Sequence, residues 1–189
     1  AFVFISVLLI VPSQVSAYPD RAGSCVGGQA AVGASHMDES KQLVSGSLSD
    51  SRAQVSVRIG GNQLLPDVTL SLQTQTDYTL ELTSNNALGN PIGFLFRLEA
   101  ERDLTGSIEA VDNLLQDAGS VCEGPNVVGV MHTNNLPKET VQASLRFDNP
   151  GIVFLDITIV AINNEDVSAY GYDRYTLSVE GEAATPAPT

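Results

Sequence analysis

Apolar and polar residues alternate with a period of two over much of the chain beyond residue 54. In the run from Gln54 to Ile59, Val55, Val57 and Ile59 are separated by polar partners, and Gly60-Gly61-Asn62 ends it as a turn. Val68, Leu70 and Leu72 repeat the pattern, followed by Tyr78, Leu80 and Leu82. From Thr140 to Phe147 the same alternation places Val141, Ala143, Leu145 and Phe147 on one side. Successive side chains of a strand point to opposite faces, so each run predicts a strand with one buried face. Other runs are nearly continuous. Pro91 to Glu99 carries Phe94, Leu95, Phe96 and Leu98, which predicts a strand buried on both faces, with Gly93 marking a bulge. Val127 to Met131 predicts another strand, and a turn at Asp148-Asn149-Pro150-Gly151 leads into the apolar run Ile152 to Ile162. Tyr175 to Val179 predicts the last.

One segment breaks the pattern. Between Leu104 and Ala118, Ile108, Val111, Leu114 and Leu115 sit at helical spacing, bounded by Gly106 and Gly119, which predicts a short helical turn or an irregular crossover. Residues 23–51 are rich in Gly, Ala and Ser and predict an extended loop held at Cys25. About eight strands at this spacing, with no long amphipathic helix, indicate an all-β chain built as an antiparallel β-sandwich. An up-and-down barrel is the alternative.

The amino-terminal end adds a location. Phe2 to Pro12 is an 11-residue stretch without a charge, followed by Ser13-Gln14-Val15-Ser16-Ala17, whose small residues suit signal-peptidase cleavage after Ala17. A bilayer-spanning helix needs about 20 apolar residues, which this run does not supply. The expected organisation is therefore a signal peptide over residues 1–17, one domain over 18–181, and a Thr/Pro-rich tail or linker start over 182–189. None of the charged residues lies in the first 17, so the remaining 172 of 189 residues keep the net charge of −13. Nucleic acids and anionic membranes attract clustered Lys and Arg, whereas these nine are scattered, so neither is an expected partner.

Cys25 and Cys122 are the only cysteines, and both follow the predicted cleavage site. In an oxidising compartment they are expected to form a single disulfide. Closing a loop of roughly 100 residues would stabilise the fold by about 4–5 kcal/mol on the chain-entropy account. No Cys-x-x-Cys occurs, which removes support for redox or zinc-ribbon chemistry, and no Gly-x-Ser-x-Gly nucleophile elbow occurs either. His36 and His132 are the only histidines. His132 is expected to order the turn containing Asn134, Asn135 and Pro137 through backbone hydrogen bonds, in preference to acting as a general base. His36 with Asp38 and Glu39 is a loose metal-type cluster without a second histidine nearby. Asn163, Asn164, Glu165 and Asp166 offer oxygen ligands on a loop between strands, as calcium requires, but lack EF-hand spacing, so a solvated turn is the competing reading. No cofactor is expected, and no Asn-x-Ser/Thr sequon occurs.

Several short motifs in one order resemble the reeler family. They are Tyr18-Pro19-Asp20 after the leader, Cys25, Gly93-Phe94-Leu95, Cys122, Met131-His132-Thr133-Asn134-Asn135-Leu136-Pro137-Lys138, and the run from Gly151 through Val160. The resemblance extends from about Tyr18 to Val179. It implies an immunoglobulin-like sandwich, secretion, and a non-catalytic binding or matrix role towards an extracellular protein or glycan. It also implies an alternative, the ectodomain of a larger membrane ferric-chelate reductase-like protein, in which case membrane attachment would come from a downstream segment. Two features depart from the family: Tyr170-Gly171-Tyr172 stands where an aromatic pair is usual, and the basic surface expected for heparin-type ligands is absent.

Overall fold

The computed structural model describes residues 45–46, 48, 55–84, 92–102, 106–118, 127–134, 138–162 and 168–181. Among these the chain forms strands β1 (Ser45–Gly46), β2 (Val55–Ile59), β3 (Asn62–Gln63), β4 (Leu70–Gln73), β5 (Tyr78–Ser84) and β6 (Ile92–Ala100). They are followed by β7 (Gly106–Ala110), β8 (Leu115–Asp117), β9 (Val127–His132), β10 (Thr140–Phe147), β11 (Gly151–Ile162) and β12 (Ser168–Glu180). No helix occurs among the described residues.

The strands form two layers. The larger sheet has the order β1-β12-β11-β6-β9-β8, with β4 also on β12, and the smaller one has the order β3-β2-β5-β10-β7. Alternation decides which side chains fill the space between them. In β10, Val141, Ala143, Leu145 and Phe147 are buried and the intervening residues are not. Val153, Leu155, Ile157 and Ile159 of β11 join Phe94, Phe96 and Leu98 of β6 and Leu80 and Leu82 of β5 in one core. Burying each such side chain contributes roughly 1.5–3 kcal/mol, so the shared core holds the two sheets face to face. The all-β sandwich anticipated from the pattern is the observed fold.

The antiparallel expectation holds for most pairs, with two exceptions. β1 and β4 both run parallel to β12, at Ser45↔Tyr170 and Leu70↔Leu177. Parallel neighbours need a long connection between them, and more than ninety residues of chain separate each from its partner. Near these strands the chain changes sheets, from β3 in the smaller to β4 in the larger. It crosses between the sheets at most later connections too, including that from β7 to β8, which lie at the edges of the two sheets.

The helical spacing between Leu104 and Ala118 does not produce a helix. It arises from two short strands, β7 and β8, with a turn between them. Ile108 pairs with Leu145, and Leu115 pairs with His132, so both are buried, whereas Val111 in the turn is 57% exposed. Hydrogen bonding to β10 and β9 overrides the local period. Val68 likewise does not share the buried face of Leu72; it is 54% exposed, and its strand begins only at Leu70. Gly93 is not a bulge, because it pairs one-to-one with Val160 inside an unbroken ladder from Val153↔Ala100 to Ala161↔Ile92. The last strand begins earlier than anticipated, at Ser168. The Gly60-Gly61 turn is a two-residue hairpin in which both φ angles are positive, 55° and 83°, a geometry for which glycine is favoured.

Candidate functional site

Two groups of polar side chains stand out. The first lies at the end of the sandwich where β9 finishes and β6 begins. Backbone pairing between these strands runs from Glu99↔Val127 to Leu95↔Met131. One position further, where Phe94 stands opposite His132, the imidazole meets the backbone instead. Nδ1 lies 3.1 Å from both the amide nitrogen and the carbonyl oxygen of Phe94. Unprotonated, Nδ1 accepts from the Phe94 N–H; protonated, it donates to the carbonyl. The ring also lies against Gly93, where an added Cβ would come within 3.2 Å of Cε1, so the missing side chain makes room for the imidazole.

Lys138 closes the same end. It is 6% exposed, and its Nζ donates to the carbonyl of Asn134 at 2.6 Å and to the Asn134 Oδ1 at 3.1 Å. The ammonium lies 5.8 Å from the centre of the Phe94 ring. Burial disfavours the charged amine and pushes its pKa down to about 8. Neighbouring atoms are also tied down. Thr133 donates from its backbone to Leu114 and from Oγ1 to the Asn113 carbonyl, and Gln116 donates to the His132 carbonyl. The β7–β8 turn, β9 and Lys138 therefore hold one another in place.

The second group lies on the outer face of the larger sheet. In β11, Ile152, Phe154, Asp156 and Thr158 alternate with the core residues and stand on the other face, yet Asp156 is 1% exposed. Register places it directly between Arg97 of β6 and Arg174 of β12. Arg97 donates to Oδ2 at 2.6 Å, Arg174 donates to both carboxylate oxygens at 2.7 and 2.9 Å, and the Tyr172 hydroxyl donates to Oδ1 at 2.7 Å. Glu99 completes the set by accepting from both arginines. Burial opposes ionisation of Asp156, but the hydrogen bonds from Arg174, Tyr172 and Arg97 outweigh it and hold the carboxyl below its usual range. Hydrogen bonding from Arg97 lowers Glu99 as well. Burial, with the hydrogen bond to Asp156, pushes the Tyr172 hydroxyl up to about 12. Arg174 also lies over the Phe154 ring, 5.0 Å from its centre.

Of the residues singled out in the sequence, the structure brings His132 and Asn134 to one end of the sandwich. His132 bonds across to β6. Asn135 and Pro137 lie outside the described residues, as do Cys25, Cys122, His36, Asp38 and Glu39. The oxygen-rich stretch Asn163, Asn164, Glu165 and Asp166, the leader and the Thr/Pro tail are outside them too. Sequence reasoning assigned no role to Lys138 or to the Asp156 group. The available signal for the latter was a lone acid inside the apolar run Ile152 to Ile162, since a charge is tolerated there only when partnered. Among the described residues no cluster of three or more His, Cys, Asp or Glu side chains is arranged to hold a metal ion, and no helix is long and apolar enough to cross a membrane.

The fold places the chain in a structural class. It is similar to the human F-spondin reeler domain, with a TM-score of 0.52 and 18% identity, over 74% of this chain and 96% of that one. A second structure, of the Reelin-N domain of F-spondin, has a TM-score of 0.53 and 18% identity, over 74% of this chain and 93% of the other. The fold is therefore reeler-like. No family model matches the sequence, and no curated protein matches it.

Proposed function

We propose that the chain is a secreted, non-catalytic recognition module whose partner is an extracellular protein or glycan of a matrix, cell surface or microbial surface. The observation that carries this reading is the likeness of its fold to nearly the whole of the F-spondin reeler domain. The uncharged leader ending at Ala17 supports export. Contact is assigned to the loop end of the sandwich bearing Thr133, Asn134 and the exposed Glu139, because loops held by a rigid scaffold are favoured for binding. A net charge of −13 favours a neutral or basic partner surface over an acidic one.

The test is to express the full chain in secretory cells and analyse the medium. Cleaved protein whose mass shows Cys25 and Cys122 joined is the expected product; retention inside the cell, or two free thiols in secreted material, contradicts the export and disulfide parts of the reading. The purified protein is then offered to arrays of matrix proteins, glycans and microbial cells. Saturable binding weakened by Glu139→Lys, with the melting temperature unchanged, supports the assigned end. Absence of binding to all three classes overturns the recognition role.

A further inference from the structure

Two buried polar atoms on the outer face of the larger sheet have no hydrogen-bond partner among the described residues: Arg97 Nε and Thr158 Oγ1. Thr158 is only 7% exposed, and the Arg97 side chain 13%. The two are close in the sheet. Arg97 stands opposite Asp156, Thr158 is two residues further along the same strand and face, and Tyr172 stands opposite Thr158 on the other side. Leaving a buried donor or acceptor unmatched carries the full desolvation penalty of that group, so two on neighbouring rungs of one face call for a common explanation.

We propose that a single buried water molecule binds between Arg97 and Thr158 and belongs to the Asp156 network. The chemistry of the donors selects it. Arg97 Nε–H only donates, so the bound group must present an acceptor. The Thr158 hydroxyl both donates and accepts, so the group must be able to answer either way. The Tyr172 hydroxyl, already donating to Asp156, keeps lone pairs and supplies a third partner. A cation is opposed by Arg97 and Arg174, and an anion by the carboxylates of Asp156 and Glu99. A small neutral molecule that accepts from Nε and also donates satisfies all three groups, and buried waters typically make two to four such bonds.

The site makes opposite predictions for one substitution. If the Thr158 hydroxyl were bonded to nothing, Thr158→Val would remove an unmatched polar atom at nearly constant shape and raise the melting temperature. With the water in place, the same change strips it of a partner, and the melting temperature is expected to fall by roughly 2–6 °C. A rise would overturn the proposal. A high-resolution crystal structure of the unsubstituted chain reads the site directly, whatever the variant does to folding. A density peak within hydrogen-bonding distance of Arg97 Nε and Thr158 Oγ1, retained in Thr158→Ser and lost in Thr158→Val, is the expected result. Absence of the peak, or a Thr158 hydroxyl bonded directly to another protein group, would show the inference to be wrong.

Discussion

Arg174 reaches across one rung of the β11–β12 ladder and donates from Nε to Oδ1 of Asp156 at 2.7 Å, while Arg97 holds the other carboxylate oxygen from the opposite strand. One acid thus fastens three consecutive strands of the larger sheet through side chains, in addition to their backbone ladders. Its position is asymmetric in exposure: Asp156 is 1% exposed, whereas the Arg174 side chain is 43% exposed.

Asp156→Asn is expected to destabilise the fold by about 3–5 kcal/mol, because it leaves the largely buried Arg97 guanidinium, and the half-exposed Arg174 beside it, facing a neutral amide. Arg174→Gln should lose less, since the buried carboxylate keeps its bonds from Arg97 and Tyr172. Chemical denaturation of both variants measures the order. Equal losses would show that the carboxylate is not the centre of the cluster.

Acid should weaken the same cluster. Asp156 and Glu99 are both held below their usual carboxyl range in the folded chain, so each contributes stability that is present above the unfolded pKa and is lost as pH falls through the folded one. Unfolding free energies measured from neutral pH downward should decline through and below the normal carboxyl range. In Asp156→Asn the decline should be shallower.

Alkali should act in the opposite direction at first. The Lys138 amine titrates near 8 when folded and near its ordinary value of 10.5 when unfolded, so between those limits the unfolded state binds more protons and stability rises with pH. Tyr172 is raised to about 12 from 10.0, so its contribution is present below the unfolded value and falls away above it. A melting-temperature maximum near pH 10 follows. Lys138→Met should abolish the rise from pH 8, and an unaltered profile would remove Lys138 as its source.

The imidazole and the glycine beneath it should be coupled. Gly93→Ala brings a Cβ to within 3.2 Å of the His132 ring and should cost about 1–3 kcal/mol by overpacking. His132→Ala removes both the ring and its bond to Phe94. If the two side chains share one space, the double variant is less destabilised than the sum of the single changes, and strict additivity would show that they do not.

The chain alone determined its strands wherever alternation was regular. The period of two in Val55 to Ile59, in Tyr78 to Leu82 and in Thr140 to Phe147 is a local property, and it assigned both the element and its buried face. Periodicity was less informative where strands are short. Ile108 and Leu115 belong to β7 and β8 because β10 and β9 supply their hydrogen bonds, and no residue between them announces that. Asp156 was visible as an acid in an apolar run, but its partners were not. Arg97 precedes it by 59 residues and Arg174 follows it by 18. Only the register of three paired strands brings these charges to one rung, because cross-strand neighbours are set by which ladders form and by where each is aligned. Likewise, the ammonium of Lys138 titrates low because tertiary packing removes it from water, a condition its neighbours in sequence do not impose.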